Sequence, residues 1–354
     1  MAHRIAIAGL GEAGFTMHLP AAAALDDTIV VGVCDPDPAR LARAASRFGV
    51  RDYATLSELL ATEKPDCIIV ATPPDTHTGL CIEALASGCD VLCEKPFTLS
   101  VEEADEIIAA AHAAKKSVAI NHEFREMPIF RGVLDAIGGN SGDPIVFAQA
   151  WQQVNLPPAG ETGWRGEMRR RVLQEAGVHL VDFIMAAFGE SPTAISATVS
   201  DGGLASGSDA IVALTLSFSG GRIGSVVMNR LSKGENQYFD ARVDTISASY
   251  RASFGGRARL TAGLHRAKNP HIRFDYGVSG LAWKEVGSRR EIIARNPADP
   301  RVTATRDVIS RSLKAFQSGG EPPCSAEWAR QVSRVIEAAY RSADSGRVER
   351  VERA

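Results

Sequence analysis

Arg4-Ile5-Ala6-Ile7-Ala8-Gly9-Leu10-Gly11-Glu12-Ala13-Gly14 is the stretch from which the fold can be read. A short apolar run, Ile5 to Ala8, gives way at once to glycines spaced G-x-G-x-x-G, and a helical pattern follows. In a strand–turn–helix unit each glycine has its own task. Gly9 permits the tight turn, Gly11 lets a pyrophosphate approach the backbone, and Gly14 lets helix and strand pack closely. The unpaired N–H groups at the helix start, around Glu12 and Ala13, would face the phosphates. With 32 glycines in the chain the spacing alone is weak, and its place directly after a strand gives it weight. A glycine-rich turn without a ligand is the plain alternative.

Asp35, in Val33-Cys34-Asp35-Pro36, ends the next apolar run. A carboxylate there accepts hydrogen bonds from the adenosine ribose and repels a 2′-phosphate, so NAD is expected over NADP. A turn-forming Asp before Pro36 is the other reading, and Arg40 and Arg43 could soften the preference.

Further along, apolar runs recur at Ile29 to Cys34, Cys67 to Ala71, Val91 to Cys93 and Val118 to Ile120. Between them lie amphipathic stretches such as Ala104, Ile107, Ile108 and Ala111, which share one helix face. Strands alternating with helices predict βαβ units: an α/β fold with a doubly wound parallel sheet in a Rossmann domain over residues 1–122. After Asn140 the texture changes. Ile145 to Trp151 reads as a strand and Leu156-Pro157-Pro158-Ala159-Gly160 as a loop. A helix over Val172 to Phe188 is closed by Gly189. From Thr193 to Thr261 strands dominate. In one of them Val212, Leu214, Leu216 and Phe218 alternate with Ile211, Ala213, Thr215 and Ser217. Gly220-Gly221 marks a hairpin. Residues 123–354 are thus expected to form an α/β domain with a mostly antiparallel sheet, its smaller-residue face either solvated or an oligomer interface. Arg266 to Pro300 reads as a loop-rich insertion. The last helix, about residues 325–344, begins near Ser325 and buries Val332, Val335, Ile336, Ala339 and Tyr340.

Composition narrows the function classes. The 354 residues suggest about two domains. Lys plus Arg is 39 and Asp plus Glu 42, a net charge of −3, which gives no global electrostatic reason for nucleic acid or an anionic membrane as partner. Cys34, Cys67, Cys81, Cys89, Cys93 and Cys324 form no C-x-x-C pair and read as reduced core residues, with no metal expected. No signal peptide and no apolar run of about 18 residues is seen, so a soluble cytoplasmic protein is the simplest expectation.

Two more segments make a recognisable set: Ala71-Thr72-Pro73-Pro74-Asp75-Thr76-His77 after the third apolar run, and Glu94-Lys95-Pro96 after the fourth. With the glycine turn, Trp164-Arg165 and Glu175-Ala176-Gly177-Val178-His179-Leu180-Val181-Asp182, the chain resembles the glucose–fructose oxidoreductase/inositol dehydrogenase/rhizopine-catabolism (Gfo/Idh/MocA) family along nearly its whole length. The resemblance implies an N-terminal Rossmann domain, a C-terminal α/β domain with an open, mostly antiparallel sheet, and an active site between them. It implies that Thr72, Pro73 and His77 line the dinucleotide. Glu94 and Lys95 would sit at the nicotinamide end with Asn121 nearby, and the bond before Pro96 would be cis. His179 occupies the family's catalytic His position. Glu175 stands where the family more usually has Asp.

Oxidising a secondary alcohol by hydride transfer needs a base for the hydroxyl proton, and His suits that task. Lys95 would hydrogen-bond the same oxygen and stabilise alkoxide charge. Glu175, four residues before His179, would share its helix face and orient the imidazole or bind a substrate hydroxyl. Asp182 is a second orienter or a helix-surface charge. Trp164 and Arg165 are a substrate wall and anion contact, or core and solvated surface. Arg169-Arg170-Arg171 is an exposed charge run or a reach toward an anionic substrate group. The leading expectation is an NAD-dependent dehydrogenase acting on a sugar, polyol, cyclitol or glycoside, as a homodimer or homotetramer. An NAD-assisted glycoside-cleaving enzyme and a non-catalytic dinucleotide-binding sensor are the alternatives.

Overall fold

The structure, a computed structural model, describes residues 2–139, 142–156, 164–204, 207–255, 257–263, 271–277 and 279–352. Six parallel strands form the first sheet: β1 (His3–Ala8), β2 (Thr28–Cys34), β3 (Asp52–Tyr53), β4 (Cys67–Val70), β5 (Asp90–Cys93) and β6 (Val118–Ile120). Their order is β3-β2-β1-β4-β5-β6. The order reverses between β1 and β4, and a doubly wound sheet binds its ligands beyond the carboxyl ends of the strands at that switch. Five strands coincide with the predicted apolar runs. Two-residue β3 was not predicted, being too short to show a period. Helices start where a side chain can cap them: Asp37, Thr55 and Ser100 accept N–H groups of Ala39, Glu58 and Glu103.

The second sheet comprises β7 (Ile145–Gln153), β8 (Ala194–Ser200), β9 (Ile211–Ser217), β10 (Ile223–Asn229), β11 (Gln237–Thr245) and β12 (Ser249–Phe254), with three later strands. A separate ribbon pairs β13 (Arg257–Gly263) with β14 (His271–Gly277). The later strands are β15 (Gly280–Val286), β16 (Arg289–Arg295) and β17 (Glu349–Arg350), giving the order β16-β15-β12-β11-β7-β10-β9-β8-β17. Only β7 and β10 pair in parallel; the other pairs are antiparallel. The alternation read in β9 is realised, with Val212, Leu214 and Leu216 buried and Ala213 and Thr215 exposed. The Gly220-Gly221 hairpin is present, with φ of 70° and 74°. Helix Val178–Phe188 lies across the buried face and ends at Gly189, left-handed at φ 69°.

Three expectations need correction. Arg266 to Pro300 is not loop-rich: its described part supplies β14, β15 and β16, because Leu281, Ala282 and Trp283 have core to pack on. The helix expected from Val172 is two segments, a π-turn over Leu173–Gly177 and the α-helix from Val178. The residues after 122 do not keep to themselves. Helix Pro300–Ser318 sets Val308, Ile309 and Leu313 into the first-sheet cluster of Ile5, Ile7 and Leu10. Helix Ala326–Ser345, capped by Ser325, spans both cores. Pro157-Pro158 lies outside the described residues.

Candidate active site

The turn after β1 shows what each glycine is for. Gly9 has φ 94°, and a Cβ on it would lie 2.5 Å from the Ala71 carbonyl oxygen. A Cβ on Gly14 would lie 1.9 Å from the Gly9 oxygen. At Gly11 no atom of the described residues stands within 4 Å. Two glycines are therefore demanded by the protein's own packing, whereas the third keeps open the space beside Glu12 and Ala13 that a pyrophosphate requires. Asp35 is buried beneath the turn. Its Oδ2 accepts the Leu10 N–H at 2.8 Å and its Oδ1 the Asp37 N–H at 2.9 Å, with Arg40 Nη1 3.5 Å away. The residues present fit NAD.

The helical segment after the turn carries His18, which is fully buried. Its Nε2 lies 2.6 Å from Glu94 Oε1, and the Asn121 amide donates to the same oxygen at 2.7 Å. The glycine turn, the Glu94-Lys95-Pro96 segment and the end of β6 are thereby tied together. Burial pushes the Glu94 carboxyl up, but His18, Lys95 and Asn121 outweigh it and bring the pKa to about 2. The Lys95–Pro96 peptide is cis, as the resemblance implied. Lys95 Nζ donates to the Glu175 carbonyl oxygen at 3.0 Å, at the foot of the helix that carries His179.

A cavity of about 560 Å³ joins these parts. Glu12, Ala13 and Thr72 line it on the glycine-turn side, with Glu94 and Lys95. Trp164, Arg165, Glu175 and His179 line it from the second domain. Of the dinucleotide contacts that the resemblance implied, three lie elsewhere. His77 is fully buried, its Nδ1 facing the Pro96 and Phe97 carbonyls and its Nε2 the Thr72 carbonyl. That ring braces one loop against the next and is not free to meet a cofactor. Pro73 is exposed outside the lining, where Pro74 stands instead. Asn121 reaches the site through Glu94.

His179 is 6% exposed, against the Phe124 ring at 4.3 Å and perpendicular to the His122 ring at 6.0 Å. Its Nδ1 is buried with no hydrogen-bond partner among the described residues, which leaves Nε2 for the cavity. Burial, then Lys95, His122 and Arg301, hold its pKa well below the ordinary imidazole value. The ring is a neutral acceptor.

Glu175 does not orient His179. Its carboxylate takes Arg165 Nε at 2.6 Å, Arg171 Nε at 2.9 Å and Arg230 Nη1 at 3.2 Å. Burial raises it, yet these arginines and Lys95 bring it down to about 2. The segment that carries it is a π-turn over Leu173–Gly177, and there the carboxylate meets the arginines instead of the imidazole. Asp182 is buried, not a surface charge; Trp328 Nε1 and Arg125 Nη1 donate to its Oδ1 at 2.7 and 3.1 Å. Of the three-arginine run, Arg169 and Arg170 are exposed, Arg170 pairing with Asp344 at 2.6 Å, and Arg171 is buried. His122, Asp182 and Cys324 bring ligand-type atoms within 4.8 Å of one another, but Arg125 supplies positive charge there.

The reading from sequence missed Glu123, Gln152, Arg230, Tyr238 and Arg301 in the lining. Two carried a signal. Gln152 shares the inward phase of Ala148 and Ala150, and Arg230 that of Val226 and Met228. A polar residue in an apolar phase marks a site.

A parallel sheet with an open glycine turn, and a cleft holding an ammonium and a neutral imidazole, define the class as a dinucleotide-dependent oxidoreductase. Residues 3–122 match the model described as oxidoreductase family, NAD-binding Rossmann fold, and residues 137–260 match the GFO/IDH/MocA C-terminal domain. The chain belongs to the Gfo/Idh/MocA family of NAD-binding oxidoreductases. It is similar to a D-apiose dehydrogenase of Paraburkholderia graminis, 24% identical over 93% of this chain and 85% of that one. An inositol 2-dehydrogenase of Rhizobium meliloti is 27% identical over 56% of this chain and 58% of its own length. Among solved structures, GenD2 from gentamicin A biosynthesis in complex with NAD aligns at a TM-score of 0.80 and 22% identity, covering 99% of this chain and 97% of that one. At that identity the likeness shows the fold.

Proposed function

We propose that this enzyme moves a hydride between NAD and a secondary hydroxyl or ketone of a sugar, polyol, cyclitol or glycoside. The observation that carries the reading is the shared cavity: Lys95 and His179 line it from opposite domains, and the glycine turn opens on it. The apiose and inositol dehydrogenases among the relatives support the substrate class. The turn residues, with Asp35, Thr72 and Glu94, would hold the dinucleotide, which supplies the hydride acceptor when bound.

In the oxidising direction His179 Nε2 takes the hydroxyl proton, and its depressed basicity keeps it free to do so at neutral pH. The Lys95 ammonium stabilises charge on the same oxygen. Glu175 serves through its backbone carbonyl, which aims Lys95, and through its carboxylate, which gathers arginines at the wall. Trp164 stacks under the Arg165 guanidinium at 4.4 Å and walls the substrate side. The outer face of the second sheet, with small exposed Ala213 and Thr215, suits pairing of two copies as a homodimer or homotetramer.

Lys95→Ala tests the assignment. It should still bind NAD and lose about 10²–10⁴-fold in kcat against a sugar and inositol panel followed by NADH absorbance. Undiminished turnover would remove Lys95 from the mechanism.

A further inference from the structure

Glu123 opens the short helical turn Glu123–Glu126, with two residues between it and the end of β6 at Ile120. It is 2% exposed, yet it lines the cavity that Lys95 and His179 share. Its Oε2 is buried with no hydrogen-bond partner among the described residues. No step of the proposed reaction uses it.

The charged groups around Glu123 are Glu94 and Lys95 past β5 and Arg301 on helix Pro300–Ser318, with His179 on helix Val178–Phe188 in the same cavity. On its own turn Arg125 is tied to Asp182, and Glu126 to Arg311. Arg131, on helix Pro128–Gly138, is turned to Asp135 and Glu126. Burial, then Glu94, push the Glu123 carboxyl up to about 8, so it keeps its proton at neutral pH. A neutral carboxyl donates through its O–H and accepts through its C=O, whereas a carboxylate only accepts. A primary amide offers the matching acceptor and donor, so the two close a paired hydrogen bond.

The sheet indicates which amide. In a doubly wound sheet a dinucleotide crosses the carboxyl ends of the strands, one half to each side of the switch. Here the glycine turn follows β1 and Asp35 follows β2, which leaves the nicotinamide half to the ends of β4, β5 and β6, where Glu94, Lys95 and Glu123 stand. Gln152, Trp164 and Arg165 line the cavity from the second domain, on the side left for the substrate.

We infer that the Glu123 carboxyl pairs with the carboxamide of the nicotinamide and so fixes the orientation of that ring in the cavity. This goes beyond the hydride-transfer reading and rests on NAD occupying the cavity.

The test is calorimetry on the purified chain with NAD, NADH and ADP-ribose, which lacks only the nicotinamide. Glu123→Leu, of similar volume and without polar side-chain atoms, should weaken NAD and NADH about ten-fold or more and leave ADP-ribose within about two-fold. Glu123→Gln, whose amide supplies a donor and an acceptor again, should bind all three within about three-fold of the parent at pH 7. NADH serves the pH arm, because the cationic ring of NAD would itself attract a carboxylate. From pH 7 to pH 9 the parent's preference for NADH over ADP-ribose should fall about ten-fold as the acid proton is lost, and should stay constant in Glu123→Gln. Unchanged NAD and NADH affinity in Glu123→Leu overturns the inference, and a raised KM for a sugar in that variant would then give the carboxyl to the substrate. An equal loss on ADP-ribose, which would mark a role in the fold, overturns it too, as does a parent preference that ignores pH. No binding of NAD by the parent would remove this inference and the hydride-transfer reading together. The expected affinities without NADH formation from any sugar or inositol would leave the inference standing and remove the hydride-transfer reading alone.

Discussion

His179 and Glu123 lie in one cavity and are perturbed in opposite senses by the same low dielectric. Burial strips solvent from an imidazolium and from a carboxylate alike, so the His pKa falls and the Glu pKa rises. The acid limb of kcat/KM should therefore lie well below the ordinary imidazole pKa of 6.5, since His179 stays a free base to lower pH. A limb at or above 6.5 would mean that another group is the base. For stability the signs differ. The folded His179 resists a proton that the unfolded chain accepts, so stability is lost as pH falls below 6.5. Glu123 holds its proton more tightly when folded. Its contribution is complete below the unfolded value of 4.5 and is lost as pH rises through about 8. Glu123→Gln should match the parent in melting temperature at pH 4 and exceed it at pH 9, by thermal denaturation; equal values at pH 9 would contradict the raised pKa. Neither shift was legible in sequence, because Glu123 is one carboxyl among many until packing removes water from it.

The glycine turn was legible because the geometry it requires is local. Which glycine serves the protein and which serves the ligand needed coordinates. Gly14→Ala drives a methyl into the Gly9 carbonyl and should both destabilise the fold and abolish NAD binding. Gly11→Ala meets nothing among the described residues. Its melting temperature should stay within about 1 °C of the parent, a shift matching under about 1 kcal/mol for a chain of this size, while NAD affinity falls about ten-fold or more by calorimetry. Unimpaired NAD binding in Gly11→Ala would place the pyrophosphate elsewhere. The π-turn before Val178 is the counter-example. The sequence around Glu175 reads as plain helix, whereas the segment folds as a π-turn and the carboxylate there meets three arginines rather than His179.

At the scale of the molecule the two sheets are interlocked by the C-terminal helices. Helix Pro300–Ser318 returns to cover the first sheet, and its first turn brings Arg301 to the cavity. Leu313 is 4% exposed in that contact. Leu313→Ala should cost about 2–5 kcal/mol, read from urea unfolding, and should weaken NAD binding with it. A loss under about 0.5 kcal/mol would mean that the helix is dispensable to the first core.

By itself the sequence determined what depends on near neighbours. Spaced glycines, capping side chains, alternating apolar phases and the Glu94-Lys95-Pro96 segment act within a few residues, so their consequences can be read from spacing. Only the tertiary structure decided which charges meet. Arg165, Arg171 and Arg230 converge on Glu175, and His18 finds Glu94, because strand register and helix return set distances that no interval along the chain encodes. Burial then converts those meetings into the basicities on which the chemistry depends.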